Sequence, residues 1–408
     1  LAPGGRVQNL EPSPHRAGTA YAAIYRYLLG DFAPYIYRTD DFGQHWTRLT
    51  DGHNGIAADE PTRVVREDPV RAGLLYAGTE FGIYVSFDNG AQWQSLQLNL
   101  PVTPVTDIKL AHGDLILSTQ GRSDWILDNL GPLRQLTPAV AASEDYLFAP
   151  ETAVRSGGRG GFGGGRGAAG PQYPPAGAMI GYYLKAAPAG ELKLEILDAS
   201  GQVIRSISSS TPAGGVGRGG RGGAPARLDK TPGMHRFTWD LRYPGPWESA
   251  AQPQGPNGPI AVPGRYQVRL SEGSWSQTQP LTVSEDPRIT ADGVTTADLQ
   301  EQFDHNMRVR DLVSRVNQLV ARVQAAERGG APSAQLKGLA AELITPEIRY
   351  SQPALQTQIA YLYGMTNGSD QKIGRDAIAR YGVLLKQLDA AEARGTAVFG
   401  SAAGSGNR

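Results

Sequence analysis

Along residues 1–137 apolar and polar positions alternate in short runs, with Val, Ile, Leu and Tyr recurring at every second place and Gly, Pro, Asp or Asn at the ends. The runs "TAYAAIYRY", "YIYRTD", "LLYAGTE", "GIYVSFD", "DIKLAHGDLILST" and "DWILDNL" predict β-strands, because a period of two turns alternate side chains to opposite faces. Residues 138–290 hold further strands in "AMIGYYLKAA", "ELKLEILDASGQVIRSIS", "GMHRFTWDLRYPGP", "VPGRYQVRLSEG" and "WSQTQPLTVSEDPR", at a spacing that suits a sandwich of two sheets. From 291 the period changes. Val309, Val313, Val316, Val320 and Val323 step by four and three, which is one face of a helix, with Thr295 or Thr296 at its start and Gly329 at its end. "SAQLKGLAAELIT", "PALQTQIAYLYGMT" and "KIGRDAIARYGVLLKQLDAAEAR" predict shorter helices, the last two paired as a hairpin across "NGSD".

The β region repeats itself. "SPHRAGTAYAA…YIYRTDDFGQHWTRL" aligns with "DPVRAGLLYAGTEFGIYVSFDNGAQWQSL", placing Ser86 47 positions after Thr39, within the range of a four-stranded propeller blade. "TDIKLAHGDLILSTQGRSDWILDNLGPLRQL" follows as a third unit, without the octet that marks the first two. That octet is "TDDFGQHW" at 39–46 and "SFDNGAQW" at 86–93. In it Gly43 and Gly90 supply a left-handed turn position, and Asp41 and Asp88 accept from their own turn's amides. Thr39 and Ser86 add a local bond, while Trp46 and Trp93 offer large apolar area for packing between blades. The expected architecture is mainly β with an α C-terminal region. Residues 1–137 form about three blades of a β-propeller, 138–290 a fibronectin-like β-sandwich, 291–395 a helical hairpin or bundle, and 396–408 a disordered tail. An arc of three blades leaves two blade faces without a neighbour.

Composition narrows the function. The 408 residues hold 39 basic and 39 acidic side chains, so no net field draws the protein to nucleic acid or an anionic membrane. Cysteine is absent, which excludes disulfides, thiolate zinc sites and a cysteine nucleophile. His15, His45, His53, His112, His235 and His305 show no metal-ligand spacing, and no metal or cofactor is expected. Two inserts, at 155–175 and 212–227, are rich in Gly and Arg and hold too little apolar area to offset the entropy of ordering. Gly158 to Gly163 satisfies a G-x-G-x-x-G pattern but follows no strand and opens no helix, so a dinucleotide site is not expected. No apolar run approaches the roughly 20 residues that span a bilayer. The beginning, "LAPGGRVQNLEPSPHRAG", lacks an initiator Met and a leader pattern and is expected to be an internal start.

The octet matches the Asp-box, or bacterial neuraminidase repeat. The ordered series from "GDLILSTQGRSDWILDNLGPLRQL" through "LEILDASGQVIRS", "HRFTWDLRYPGP", "VPGRYQVRL" and "PLTVSEDPR" resembles a bacterial family of large exported proteins labelled glycosyl hydrolase or sortilin-like. The resemblance implies a periplasmic or extracellular location and further blades upstream. It also implies that the octet lies on the rim, away from a catalytic centre. Members often read "THGR" where this chain has Gln120 before Gly121 and Arg122.

Glycosidases need two carboxylates flanking a sugar, and the sialidases use a Tyr nucleophile, together with an arginine cluster. Asp31, Asp59, Glu60 and Glu80, with Arg63, Arg66 and Arg122, are the candidates, although "DEPTRVVRED" also reads as a salt-bridged surface. Glu80, Arg122 and Trp125 are the residues expected to face a ligand, a glycan or a protein. The preferred reading is a non-catalytic recognition or structural protein. Its blades would be completed by an upstream fragment of the same precursor or by another subunit. Glycoside hydrolysis by the completed propeller is the alternative.

Overall fold

The computed structural model describes residues 1–156, 176–210, 227–329 and 333–404. The two Gly/Arg-rich inserts fall almost wholly outside the described residues. By compactness the chain divides into two units, Leu1–Ala142 and Ser143–Arg408.

The first unit is a series of antiparallel meanders. Strands β1 (Arg6–Pro12), β2 (Ala20–Tyr25), β3 (Ile36–Thr39) and β4 (Thr47–Arg48) form one sheet in sequence order. Strands β5 (Thr62–Glu67), β6 (Leu75–Thr79), β7 (Ile83–Ser86) and β8 (Gln94–Ser95) form a second. The third sheet has only β9 (Val105–Ala111), β10 (Asp114–Thr119) and β11 (Asp124–Leu127). There the chain turns into α1 (Gly131–Gln135) and α2 (Pro138–Ala142) instead of a fourth strand. Pro132 and Pro138 sit in the first turns of these helices, where a fixed φ and a missing N–H cost nothing.

Pairing repeats in register from sheet to sheet. The rows Leu10–Ala22–Tyr37, Val65–Ala77–Tyr84 and Ile108–Leu117–Trp125 occupy equivalent places, and each sheet shifts register at the same point. Each of the first two sheets is apolar on both faces. Tyr21, Ala23 and Ile36 of the first pack with Val65, Leu75, Ala77 and Trp93 of the second. On its other face the second presents Val64, Tyr76, Ile83 and Val85 to Val105, Ile108, Leu115 and Leu117 of the third.

In the second unit, β12 (Asp145–Leu147), β14 (Ala178–Leu184) and β17 (Gly233–Trp239) make a three-stranded sheet. Strands β13 (Ala153–Arg155), β19 (Trp275–Glu285), β18 (Gly264–Glu272), β15 (Leu192–Leu197) and β16 (Val203–Ser208) make a five-stranded one, with β13 parallel to β19. One apolar cluster joins both sheets, with Leu147, Ile180, Tyr182 and Trp239 from one and Leu194, Ile196, Val268 and Leu270 from the other. After the short α3 (Pro287–Ala291) comes α4 (Thr296–Arg328), capped by Thr295 and Asp298, each side chain accepting from the other's backbone N–H. The expected valine stripe of α4 is buried against α5 (Ala334–Leu343), α6 (Leu355–Asn367) and α7 (Arg375–Gly404). Helix α7 runs to Gly404, past the residue 395 at which the helical region was expected to end.

Strands and helices of this unit are tied by buried polar links. Arg155 of β13 forms an ion pair with Asp370 between α6 and α7, both side chains 3% exposed, and Arg155 also donates to the Ala261 carbonyl. Tyr363 donates to the Asn257 carbonyl at 2.6 Å. On α4, Gln302 and Asn306 reach the Thr366 carbonyl, and His305 beside them is buried against the Tyr381 ring.

Burial pushes the His305 imidazole below its ordinary 6.5, and Arg308 adds to the shift. The folded ring therefore stays neutral where the unfolded ring takes a proton. Stability is full above the ordinary value and falls as pH drops below it, until the folded ring itself is protonated. The unfolding midpoint should fall between pH 7 and pH 5 more steeply in the native chain than in His305→Leu; equal slopes would show that His305 contributes nothing to acid sensitivity.

Candidate functional site

Each meander has two ends, and they carry different chemistry. The octet turns lie between β3 and β4 and between β7 and β8. Thr39 is 2% exposed and Ser86 0%, whereas Asp88 is exposed. The hydroxyl is the hub. Thr39 Oγ1 accepts from Gly43 N at 2.9 Å and donates to Asp41 Oδ1 at 2.9 Å. Ser86 Oγ does the same with Gly90 N and Asp88 Oδ1, both at 2.8 Å. The carboxylate then accepts from the amide two residues beyond the glycine, His45 N or Gln92 N, at 2.9 Å. Asp41 is pulled down to about 2, first by that His45 amide and then by the His45 ring. Left-handed backbone occurs at two successive positions, Phe42–Gly43 and Asn89–Gly90, where the sequence suggested the glycine alone.

The two tryptophans differ. The Trp93 indole donates to the Leu49 carbonyl at 3.4 Å, across to the first meander. Trp46 folds back onto its own turn and donates to Gly43 O at 3.0 Å. The linker between the first two meanders clasps the second octet: Asn54 Nδ2 donates to Ala91 O at 3.1 Å and Asn54 O accepts from Trp93 N at 2.8 Å. Gly55 lies so close that a Cβ there would sit 1.9 Å from the Trp93 carbonyl oxygen.

The opposite end gathers Asp31, Glu60, Glu80, Arg63 and Arg122, whereas Arg66 pairs with Tyr76, one row from the octet Ser86. Glu80, in the β6–β7 turn, accepts from the Tyr25 hydroxyl at 2.6 Å and from Arg63 Nε at 2.6 Å. Arg63 also lies over the Tyr25 ring and reaches Gln120 of the third meander at 3.5 Å. Burial pushes the Tyr25 hydroxyl up to about 12, and its bond to Glu80 adds to this. Asp31 is held by Arg26 at 2.6 Å and by the Tyr35 hydroxyl at 2.8 Å. Glu60 and burial together raise the Tyr84 hydroxyl, burial contributing more.

Arg66 joins all three meanders, bonding Glu11 at 2.7 Å, Asp107 at 2.7 Å and the Ile108 carbonyl at 2.8 Å. Of the expected ligand-facing residues, Glu80 is thus engaged on both sides. Arg122 is exposed, and its carbonyl accepts from the Trp125 indole at 3.0 Å. Tyr25 and Asn54 were not singled out from sequence, and Gln120 was noted only as a departure from the "THGR" pattern. "GHNGI" held the signal for Asn54, since an Asn-Gly pair marks a turn in the linker. Among the described residues no group of three His, Asp or Glu is placed to hold a metal ion, and no helix is long and apolar enough to cross a membrane.

Neither a protein-family model nor a curated protein matches the chain. Among solved structures, an ancestral GH74 enzyme is 19% identical over 29% of this chain and 14% of its own, with a TM-score of 0.24. YCF48 bound to a D1 peptide is 13% identical over 49% of this chain and 52% of its own, at 0.23. The GH74 enzyme of Niastella koreensis is 11% identical over 67% of this chain and 38% of its own, at 0.25. This chain thus spans about half, or less, of each of these proteins. Superpositions that loose fix neither a shared site nor a shared activity.

Replacing Ser86 by Ala strands the buried Gly90 N–H and should cost about 1–3 kcal/mol. Asp88→Ala, at an exposed position, should cost less. Chemical denaturation of both variants checks the order; the reverse order would make the carboxylate, not the hydroxyl, the hub of the turn.

Proposed function

We propose that this chain is a non-catalytic recognition or structural protein. Its meanders are blades of a β-propeller arc carrying Asp-box turns, followed by a β-sandwich and helices. In this reading it works in the bacterial periplasm or outside the cell, and its blades are completed by a further fragment or subunit. The carrying observation is the engagement of Glu80. A glycosidase carboxylate must be free to give or take a proton at the sugar. Glu80 is instead held between Arg63 and Tyr25, in a network that reaches Gln120 and so links three meanders. Arg66 repeats the pattern with Glu11 and Asp107. Charged groups that bind successive blades to one another serve assembly rather than turnover.

One observation favours glycoside hydrolysis. A tyrosine hydroxyl 2.6 Å from a carboxylate, with an arginine over the ring, supplies the elements of a Tyr nucleophile and its base. Against it, the Tyr25 hydroxyl is pushed up to about 12, away from ready ionisation.

The two readings separate on Tyr25→Phe and Glu80→Gln, assayed with fluorogenic sialosides and glucosides alongside thermal unfolding. The assembly reading expects no turnover in the native chain and a lowered unfolding midpoint in both variants. Hydrolysis by the native chain that both variants abolish, without loss of stability, would establish the enzyme.

A further inference from the structure

Helices α6 and α7, with the loop 368–374 that joins them, line a cleft of about 600 Å³. Volumes of this order hold small ligands. Its apolar lining is Tyr361, Leu362 and Met365 of α6, Ile373 of the loop and Ala377 of α7. Leu362 and Ile373 are buried, but Tyr361 and Met365, one turn apart, are 68% and 57% exposed. The lining is preformed. Gln302 and Asn306 of α4 donate to the Thr366 carbonyl at 2.8 and 3.0 Å, and Gln371 Nε2 donates to the Met365 carbonyl at 2.8 Å. The end of α6 is thus tied both to α4 and to the loop before any ligand arrives, which lowers the entropy lost on binding.

The charge of the lining leans to one sign. Lys372 and Arg380 stand against a single acid, Asp376. Lys372 is paired with Asp298 at 3.3 Å. Arg380 differs from Arg310, Arg315 and Arg394, each of which holds a carboxylate. Among the described residues the Arg380 side chain bonds only the neutral Gln358 side chain. Gly374, Asp376 and Ala377 also bring the first turn of the 30-residue α7 into the lining. First-turn amides lack a carbonyl within their own helix and carry the positive end of its dipole.

We propose that this cleft binds a small amphiphilic anion, with its apolar body against Tyr361, Met365 and Ile373 and its carboxylate on the Arg380 guanidinium. A planar guanidinium matches a carboxylate with two parallel N–H donors, and such a bond is stronger than the one to a neutral amide that it replaces. Thr357, Gln358 and Gln371 bound the apolar surface closely. The surface is therefore a concave seat for one small molecule and not the broad face that a second copy of the chain needs. The cleft lies wholly within the second unit, so binding there stands or falls apart from the role of the meanders.

Titration calorimetry of the full chain with decanoate, decan-1-ol and decylammonium tests this. Decanoate should bind once per chain and about tenfold more tightly than decan-1-ol. Arg380→Gln should remove that preference, and Asp376→Asn should tighten decanoate. Met365→Glu, which sets a charge on the apolar wall at an exposed position, should abolish binding and leave the unfolding midpoint unchanged. No heat from decanoate overturns the proposal, as do equal affinity for decan-1-ol, tighter binding of decylammonium, or decanoate binding indifferent to all three substitutions. A dimer in light scattering that Met365→Glu dissolves would give the cleft to a second copy and overturn it as well.

Discussion

The first unit depends on a single constraint: its first two β-meanders are apolar on both faces, and an apolar face must be covered. A sheet of this size cannot expose Val65, Leu75, Ala77 and Trp93 to water while also exposing Val64, Tyr76, Ile83 and Val85. Stacking is the solution, and it sets the rest. Linkers must return the chain to the same side, which the Asn54–Gly55 pair does by lying against the next octet. The repeated register follows, because a shift of one residue would turn every apolar side chain to the wrong face.

Polar groups then fix what apolar contact leaves loose. At the octet end the buried Thr39 and Ser86 hydroxyls hold the turn that positions each tryptophan. At the other end Glu80 and Arg63, and nearer the octet end Arg66, hold successive meanders in line. These groups do opposite things to their surroundings: the hydroxyls act within one meander and the charges act between meanders. The second unit uses the same device once more, in the Arg155–Asp370 pair that ties a strand to the connection between two helices. A buried pair of this kind is costly to break because the remaining charge has no solvent.

Much of this was legible along the chain. Alternation at two and then at 3.6 residues located the strand-rich and helical stretches, and the valine stripe of α4 is buried as its spacing implies. The octet announced a turn through its glycine and aspartate. The chain alone gave no means of ranking the hydroxyl above the carboxylate, because Thr39 and Asp41 are equally polar as letters and differ only in burial. The third meander's missing fourth strand was equally hidden, since "GPLRQL" is apolar enough for either element and Pro132 decides for a helix.

Sequence by itself determined which residues are apolar at which period, and hence which strands and helices form and that the β region repeats. Those are local properties, set by side chain and backbone within a few residues. Tertiary structure alone decided which copy of the repeat is covered. Leu10 and Val65 hold the same place in the repeat, and so do Trp46 and Trp93; a neighbouring sheet buries Val65 and Trp93, while Leu10 stays exposed and Trp46 half-buried. It also brought Tyr25, Glu80, Arg63 and Gln120 together from three meanders, a proximity set by stacking and invisible to spacing along the chain.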